Sequence, residues 1–239
     1  MPLLRRAGLV AVVAVAAGAH SAVAQRIRVG LSGVAGSVGS AVSVQGVLEE
    51  GVGIWYGGRL DLRAGPVVVE VSEMVGTLAP SSGAAGFDQD GGEARVVAGV
   101  VPLSWLAVEG TYEVRAFDSP AGYQKWTASG AGARVWSQLG VPALRGYARI
   151  AYLFGVSVSG EDAPDLALGF EAGVDLTPAR SPITLGAFYR LERFDFPATG
   201  SARVQQFDML GVRGGISFAR KPGVRPPSPP SAAGTPPAN

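Results

Sequence analysis

Residues 166–176, LALGFEAGVDL, set Leu166, Leu168, Phe170, Ala172, Val174 and Leu176 against Gly169, Glu171, Gly173 and Asp175, and comparable alternation recurs from Arg26 to Arg220. Successive side chains of an extended strand point to opposite sides, so a period of two builds a sheet with one apolar and one polar face. Ala148, Ile150, Tyr152, Phe154 and Val156 oppose Arg149, Ala151 and Gly155, while Leu185, Ala187, Tyr189 and Leu191 oppose Gly186, Arg190 and Glu192. Ile54, Tyr56, Leu60 and Leu62 oppose Trp55, Gly57, Arg59, Asp61 and Arg63, and Leu106, Val108, Tyr112 and Val114 oppose Glu109, Thr111, Glu113 and Arg115. No helical period competes with this pattern, and the chain is predicted to be all-β.

Clusters of Gly, Pro, Asp and Ser divide the chain into segments 27–35, 52–63, 67–78, 93–102, 105–117, 124–137, 144–157, 165–176, 182–195 and 204–219. Ala64-Gly65-Pro66, Pro102-Leu103-Ser104, Gly140-Val141-Pro142 and Ser181-Pro182 are tight turns; 36–51, 79–92, 118–123, 158–164 and 196–203 are longer polar or glycine-rich loops. Short turns at one end and long loops at the other predict an up-and-down antiparallel transmembrane β-barrel. The strand number is ten, or eight without the weakly alternating pair within 27–50.

The polar face decides which side points outward. It mixes both charges with Gly, Ala, Ser and Thr, and the only two lysines are Lys125 and Lys221. A soluble surface is normally rich in lysine and mixed charge, whereas a narrow lumen needs small residues beside long ones and a balance of buried charge. Arg59, Arg63, Arg95, Arg115, Arg134, Arg149, Arg190 and Arg213 face Asp61, Glu70, Glu109, Glu113, Glu171, Asp175 and Glu192. These are the expected members of a lumen ion network. Tyr56, Tyr112, Tyr152 and Tyr189 fall on the apolar faces, where an interfacial girdle sits. Two segments resist the scheme: Glu73 takes the apolar parity, and 124–137 needs a register shift for Trp126 and Val135 to share a face.

MPLLRR followed by AGLVAVVAVAAGA and Ala22-Val23-Ala24 reads as a secretory signal peptide over 1–24. A barrel domain over 25–220 follows, then a proline-rich tail over 221–239 expected to be disordered and periplasmic. The chain is expected in the outer membrane.

The chain resembles the small outer-membrane β-barrel proteins of Gram-negative-type bacteria, the OmpA/OmpX-like group. The likeness covers roughly 27 to 219 and is architectural. Its most local feature is MLGVRGGISF, where Leu210, Val212, Ile216 and Phe218 alternate and an aromatic closes the strand. This looks like the insertion signal that the assembly machinery reads; this chain departs from the family in continuing past the aromatic. The resemblance implies outer-membrane lipid, lipopolysaccharide and that machinery as partners, a monomer, and a structural or surface-interaction role. A small-solute or ion porin is the alternative. Gly53-x-Trp55 also resembles secreted lipocalins, which implies a soluble carrier with an apolar cup and its charges outside.

The single histidine is His20, inside the expected signal, and there is no cysteine. Ser-His and Cys-His nucleophiles and ordinary zinc sites are therefore excluded from the mature chain, and no catalytic residue, cofactor or metal is expected. Glu109 with Glu113 and Glu171 with Asp175 fit a structural ion network better than an acid/base dyad. Asp88-Gln89-Asp90-Gly91 is a fragment of a calcium loop without the remaining ligand spacing, and it reads with Glu161, Asp162 and Asp165 as a solvated acidic loop. Such loops could meet divalent ions bridging lipopolysaccharide, and Arg193 near a loop end could meet lipid phosphate. Evenly spread arginines give no nucleic-acid patch.

Overall fold

The computed structural model describes residues 27–44, 47–81, 87–120, 122–160, 162–179, 181–197 and 203–219. The expected signal peptide, the proline-rich tail and Glu161 lie outside the described residues.

All described regular structure is strand: β1 (Ile27–Val44), β2 (Val47–Ala64), β3 (Val67–Pro80), β4 (Gln89–Leu103), β5 (Leu106–Ser119), β6 (Gly122–Gln138), β7 (Leu144–Leu153), β8 (Ser157–Val158), β9 (Leu166–Leu176), β10 (Ile183–Phe196) and β11 (Arg203–Ala219). Apart from β8, chain neighbours pair antiparallel, β7 with β9 included; β1 also pairs β11, and the β5–β6 ladder joins the two ends of the sheet. The result is a closed up-and-down barrel of 10 strands. Two-residue β8 is an accessory that hydrogen-bonds Trp126 and Thr127 of β6 above the end of β7. Closure removes the sheet edges, which is how a β-structure can satisfy its backbone within hydrocarbon.

Both ends of the barrel, Ile27 and Ala219, lie with the tight connections after β2, β4, β6 and β9; this is called the turn end, and the opposite rim the loop end. Gly65 and Gly140 turn with φ of 57° and 75°, a left-handed conformation that favours glycine.

The segment expected as loop 36–51 is largely strand. β1 runs 18 residues and its outer half pairs with β2 from Ser37↔Ile54 to Val44↔Val47 while pairing with β11 on its other edge. Its Gly, Ser and Ala residues gave a loop-like composition, yet a backbone flanked by two strands finds its hydrogen bonds in the ladder whatever its side chains. Small size is a requirement here: a Cβ on Gly36 would stand 2.8 Å from the Leu210 carbonyl oxygen. The loop expected over 79–92 likewise narrows to 81–88 between β3 and β4, and the loop over 118–123 to the two residues between β5 and β6. The segment expected over 144–157 stops at Leu153, and Leu103 closes β4 rather than standing in its turn.

Alternation turns the apolar side chains outward. Leu31, Ile54, Tyr56, Val108, Tyr112, Ile150, Tyr152, Phe170, Leu185, Tyr189, Leu210 and Val212 are exposed around the wall, while the buried polar set is ionic apart from Gln205 and faces inward. Soluble proteins bury the first class and expose the second. An apolar belt round the whole wall far exceeds the few hundred Å² a soluble monomer exposes, so hydrocarbon is its solvent. A carrier with an apolar cup and charges outside is thereby contradicted. Glu73 is exposed on this outer face, as its parity required.

Candidate functional site

With the outer wall given to lipid, the lumen is where chemistry can reside. Its contents form three layers.

The loop-end layer is apolar. Trp55 from β2, Phe117 from β5, Trp126 from β6, Phe194 from β10 and Phe207 from β11 all point inward and are buried, with Leu78, Val158 and Met209 filling between them. Phe117 stacks on Phe207 at 5.6 Å, and Trp126 meets Phe194 at 5.1 Å and Phe207 at 5.6 Å. Such ring pairs each add about 0.5–1.5 kcal/mol beyond area burial. Glycines make the room: a Cβ on Gly91 would sit 2.5 Å from Cζ2 of Trp55, so the indole lies directly on the backbone of β4. The register shift expected in 124–137 does not occur. β5–β6 pairing is continuous from Ser119↔Gly122 to Leu106↔Val135, leaving Trp126 in the lumen and Val135 outside.

The middle layer is ionic. Nearest the aromatics, Arg115 reaches Glu113, Glu192 and Glu93 at 2.6, 2.6 and 2.7 Å, and Arg190 binds Glu93 with both terminal nitrogens. Arg115 also lies 4.3 Å from the Phe207 ring centre, tying this layer to the aromatic one. Below, Arg149 bridges Glu70, Glu109 and Glu171 at 2.8, 2.9 and 3.2 Å. Arg134 joins Glu109 and Glu70, Arg59 joins Asp61 and Glu70, and Tyr147 donates to Glu171 at 2.9 Å. Arg95 connects the two groups, at 3.0 Å from Glu171 and 3.8 Å from Glu113. Following the strand order, Arg190 on β10 and Glu93 on β4 stand five strands apart, half the ring. This pair therefore crosses the lumen, as do Arg149–Glu70, Arg95–Glu171 and Arg115–Glu192, whereas Arg115–Glu93, Arg134–Glu109 and Arg149–Glu171 join neighbouring strands along the wall. Six arginines meet six glutamates and Asp61 here, close to the balance a low-dielectric interior demands.

The turn-end layer is an open vestibule of about 470 Å³. Arg213 pairs with Asp175 at 2.6 Å on its wall.

Of the arginines expected in the network, Arg63 stands apart: it donates to the Gly65 carbonyl at 3.3 Å and joins the vestibule. Sequence reasoning left Glu93, the first residue of the expected strand 93–102, out of the network; it is a buried β4 side chain contacted by Arg115 and Arg190. Its parity with Arg95 was the available signal. Asp90, from the calcium-like fragment, is also in β4 and accepts the Thr77 hydroxyl at 2.8 Å. Among the described residues no cluster of three or more His, Cys, Asp or Glu side chains could hold a metal. Arg193, on the outer face, pairs with Asp195 of its own strand at 2.9 Å. Leu210, Val212, Ile216 and Phe218 are outward and exposed along β11.

Fold and lumen together define a closed transmembrane β-barrel filled by side chains. No protein-family model and no curated protein matches the chain. Among solved structures it is similar to Neisserial surface protein A, at 14% identity and TM-score 0.36 over 79% of this chain and 97% of that one. It is also similar to the translocator domain of the autotransporter NalP from Neisseria meningitidis, at 13% identity and TM-score 0.38 over 86% and 92%. The β-domain of the Bordetella autotransporter BrkA gives 14% identity and TM-score 0.39 over 81% and 100%.

Proposed function

We propose that this chain is a non-enzymatic, non-conducting outer-membrane barrel that stabilises the envelope and presents its loop end for surface interaction. The observation that supports it is the blocked cross-section: an aromatic layer seals the loop end, and beneath it ion pairs span the barrel from wall to wall. Barrels of this strand number leave little interior once side chains fill it, and a conducting path would have to break both layers. A lumen without histidine or cysteine also lacks the usual nucleophile–base partners. The exposed, alternating face of β11 ending at Phe218 supports recognition by the outer-membrane assembly machinery, and the apolar belt supports lipid as the standing partner.

Two measurements on one preparation test the reading. Protein fractionated with outer membranes should migrate differently on gels before and after boiling, as a closed barrel does, and should stay silent in a planar bilayer. Reproducible single-channel steps from correctly folded protein would overturn the non-conducting role and return a small-solute porin.

A further inference from the structure

The vestibule carries more positive charge than its own walls neutralise. Its lining contains Arg28, Arg59, Arg63, Arg134, Arg145 and Arg213 against Asp61, Glu70 and Asp175. Arg59, Arg134 and Arg213 are engaged by those carboxylates or by Glu109. Arg28, Arg63 and Arg145 have no carboxylate within salt-bridge distance among the described residues. Arg145 is held instead on Trp136, 4.9 Å from the ring centre, with Arg134 also on that indole at 5.4 Å. Two guanidiniums thus share one indole; Arg134 has its carboxylates in Glu109 and Glu70, and Arg145 has none within salt-bridge distance. Like charges are not gathered in a partly enclosed cavity at no cost, and the sequence offers no internal remedy. Residues 1–26 and 220–239 contain no Asp or Glu, and the tail that follows β11 adds Arg220, Lys221 and Arg225. A soluble anion can supply the counter-charge that these segments do not carry.

We propose that the turn-end vestibule is a binding pocket for a small, soluble, multivalent oxyanion. Guanidinium forks match the paired oxygens of phosphate and carboxylate groups, and the Ser32 hydroxyl and the hydrogen-bonded Thr177–Thr184 pair, which keeps one free hydroxyl proton, add neutral donors on the same walls. The volume is that of a small-molecule pocket. The cavity opens inside the wall, not onto the lipid face, so the ligand arrives from the aqueous phase; lipid phosphates lie round the outside of the barrel. The ion pairs above form its floor, and the ligand binds there without crossing.

Calorimetric titration of the full chain, refolded in zwitterionic detergent, with inorganic pyrophosphate tests this independently of conductance. Saturable one-to-one binding is expected, weakened roughly tenfold by Arg63→Gln and again by Arg145→Gln, as the loss of one charge-assisted contact each implies. Lys125→Gln, on the outer face at the loop end, should leave affinity unchanged. Citrate serves as the second arm: competition with pyrophosphate assigns the pocket to multivalent oxyanions generally, and failure to compete narrows it to phosphoryl groups. Heat-dependent gel migration of each variant confirms folding. Absence of saturable binding by folded protein, or binding undiminished in both arginine variants, would overturn the proposal.

Discussion

Arg149→Met is the sharpest probe of the lumen network. The side chain is 4% exposed and bridges Glu70, Glu109 and Glu171, all within 3.2 Å. Removing one partner of a buried ion pair costs about 3–5 kcal/mol because the other charge is left uncompensated. Each carboxylate here keeps a second partner: Glu70 keeps Arg59 at 2.9 Å, Glu109 keeps Arg134, and Glu171 keeps Arg95 at 3.0 Å. The loss should therefore fall at the lower end, about 3 kcal/mol, with methionine filling most of the vacated volume. Urea unfolding of the refolded barrel in lipid vesicles measures it, provided the slope against denaturant is unchanged. Arg193→Met is the matched control, since Arg193 is 54% exposed and its pair with Asp195 should be worth about 0–1 kcal/mol. A loss below about 1 kcal/mol for Arg149→Met, equal to the control, would refute a desolvated cross-lumen network.

Other expectations follow from the same geometry. Gly91→Ala places a methyl on the Trp55 indole and should cost about 1–3 kcal/mol, whereas Gly58→Ala, whose added carbon has its nearest neighbour at 3.9 Å, should be neutral or gain about 0.4–1 kcal/mol in the same unfolding assay. Trp126→Ala should cost about 3–5 kcal/mol yet remain silent in a planar bilayer, because the ion pairs beneath still cross the lumen. Ile54→Arg, on the exposed belt, should lose about 2–4 kcal/mol if it sits near the bilayer midplane and less towards an interface.

What could be read from the chain and what could not divides by side-chain size and sign. Regular segments such as 166–176 and 183–192 showed their two faces directly, because every outward position is apolar and most inward positions are charged or small. Trp126 and Phe117 break that code from inside: they are apolar but lumenal, and only the packed aromatic layer explains them. Hence a register shift was expected where the ladder is regular. The long β1–β2 hairpin was hidden for a different reason. Gly36, Gly39 and Gly53 weaken a strand in isolation but here permit close approach of neighbouring strands or side chains. Glu93 was obscured by the acidic residues preceding it, although its spacing from Arg95 matched the buried face. The vestibule was beyond reach because Arg28 and Arg63, partners in the β1–β2 hairpin, meet Arg145 of β7 only when the barrel closes.

Because the chain has no cysteine, single thiols can be introduced cleanly to ask which face meets lipid. Ile54→Cys, Ile150→Cys and Val212→Cys, each labelled with a small fluorophore and reconstituted in vesicles with brominated acyl chains, should be quenched, while Thr111→Cys and Ala128→Cys should not. Quenching at positions 111 and 128 with none at 54, 150 and 212 would place the aliphatic face inside and contradict the account.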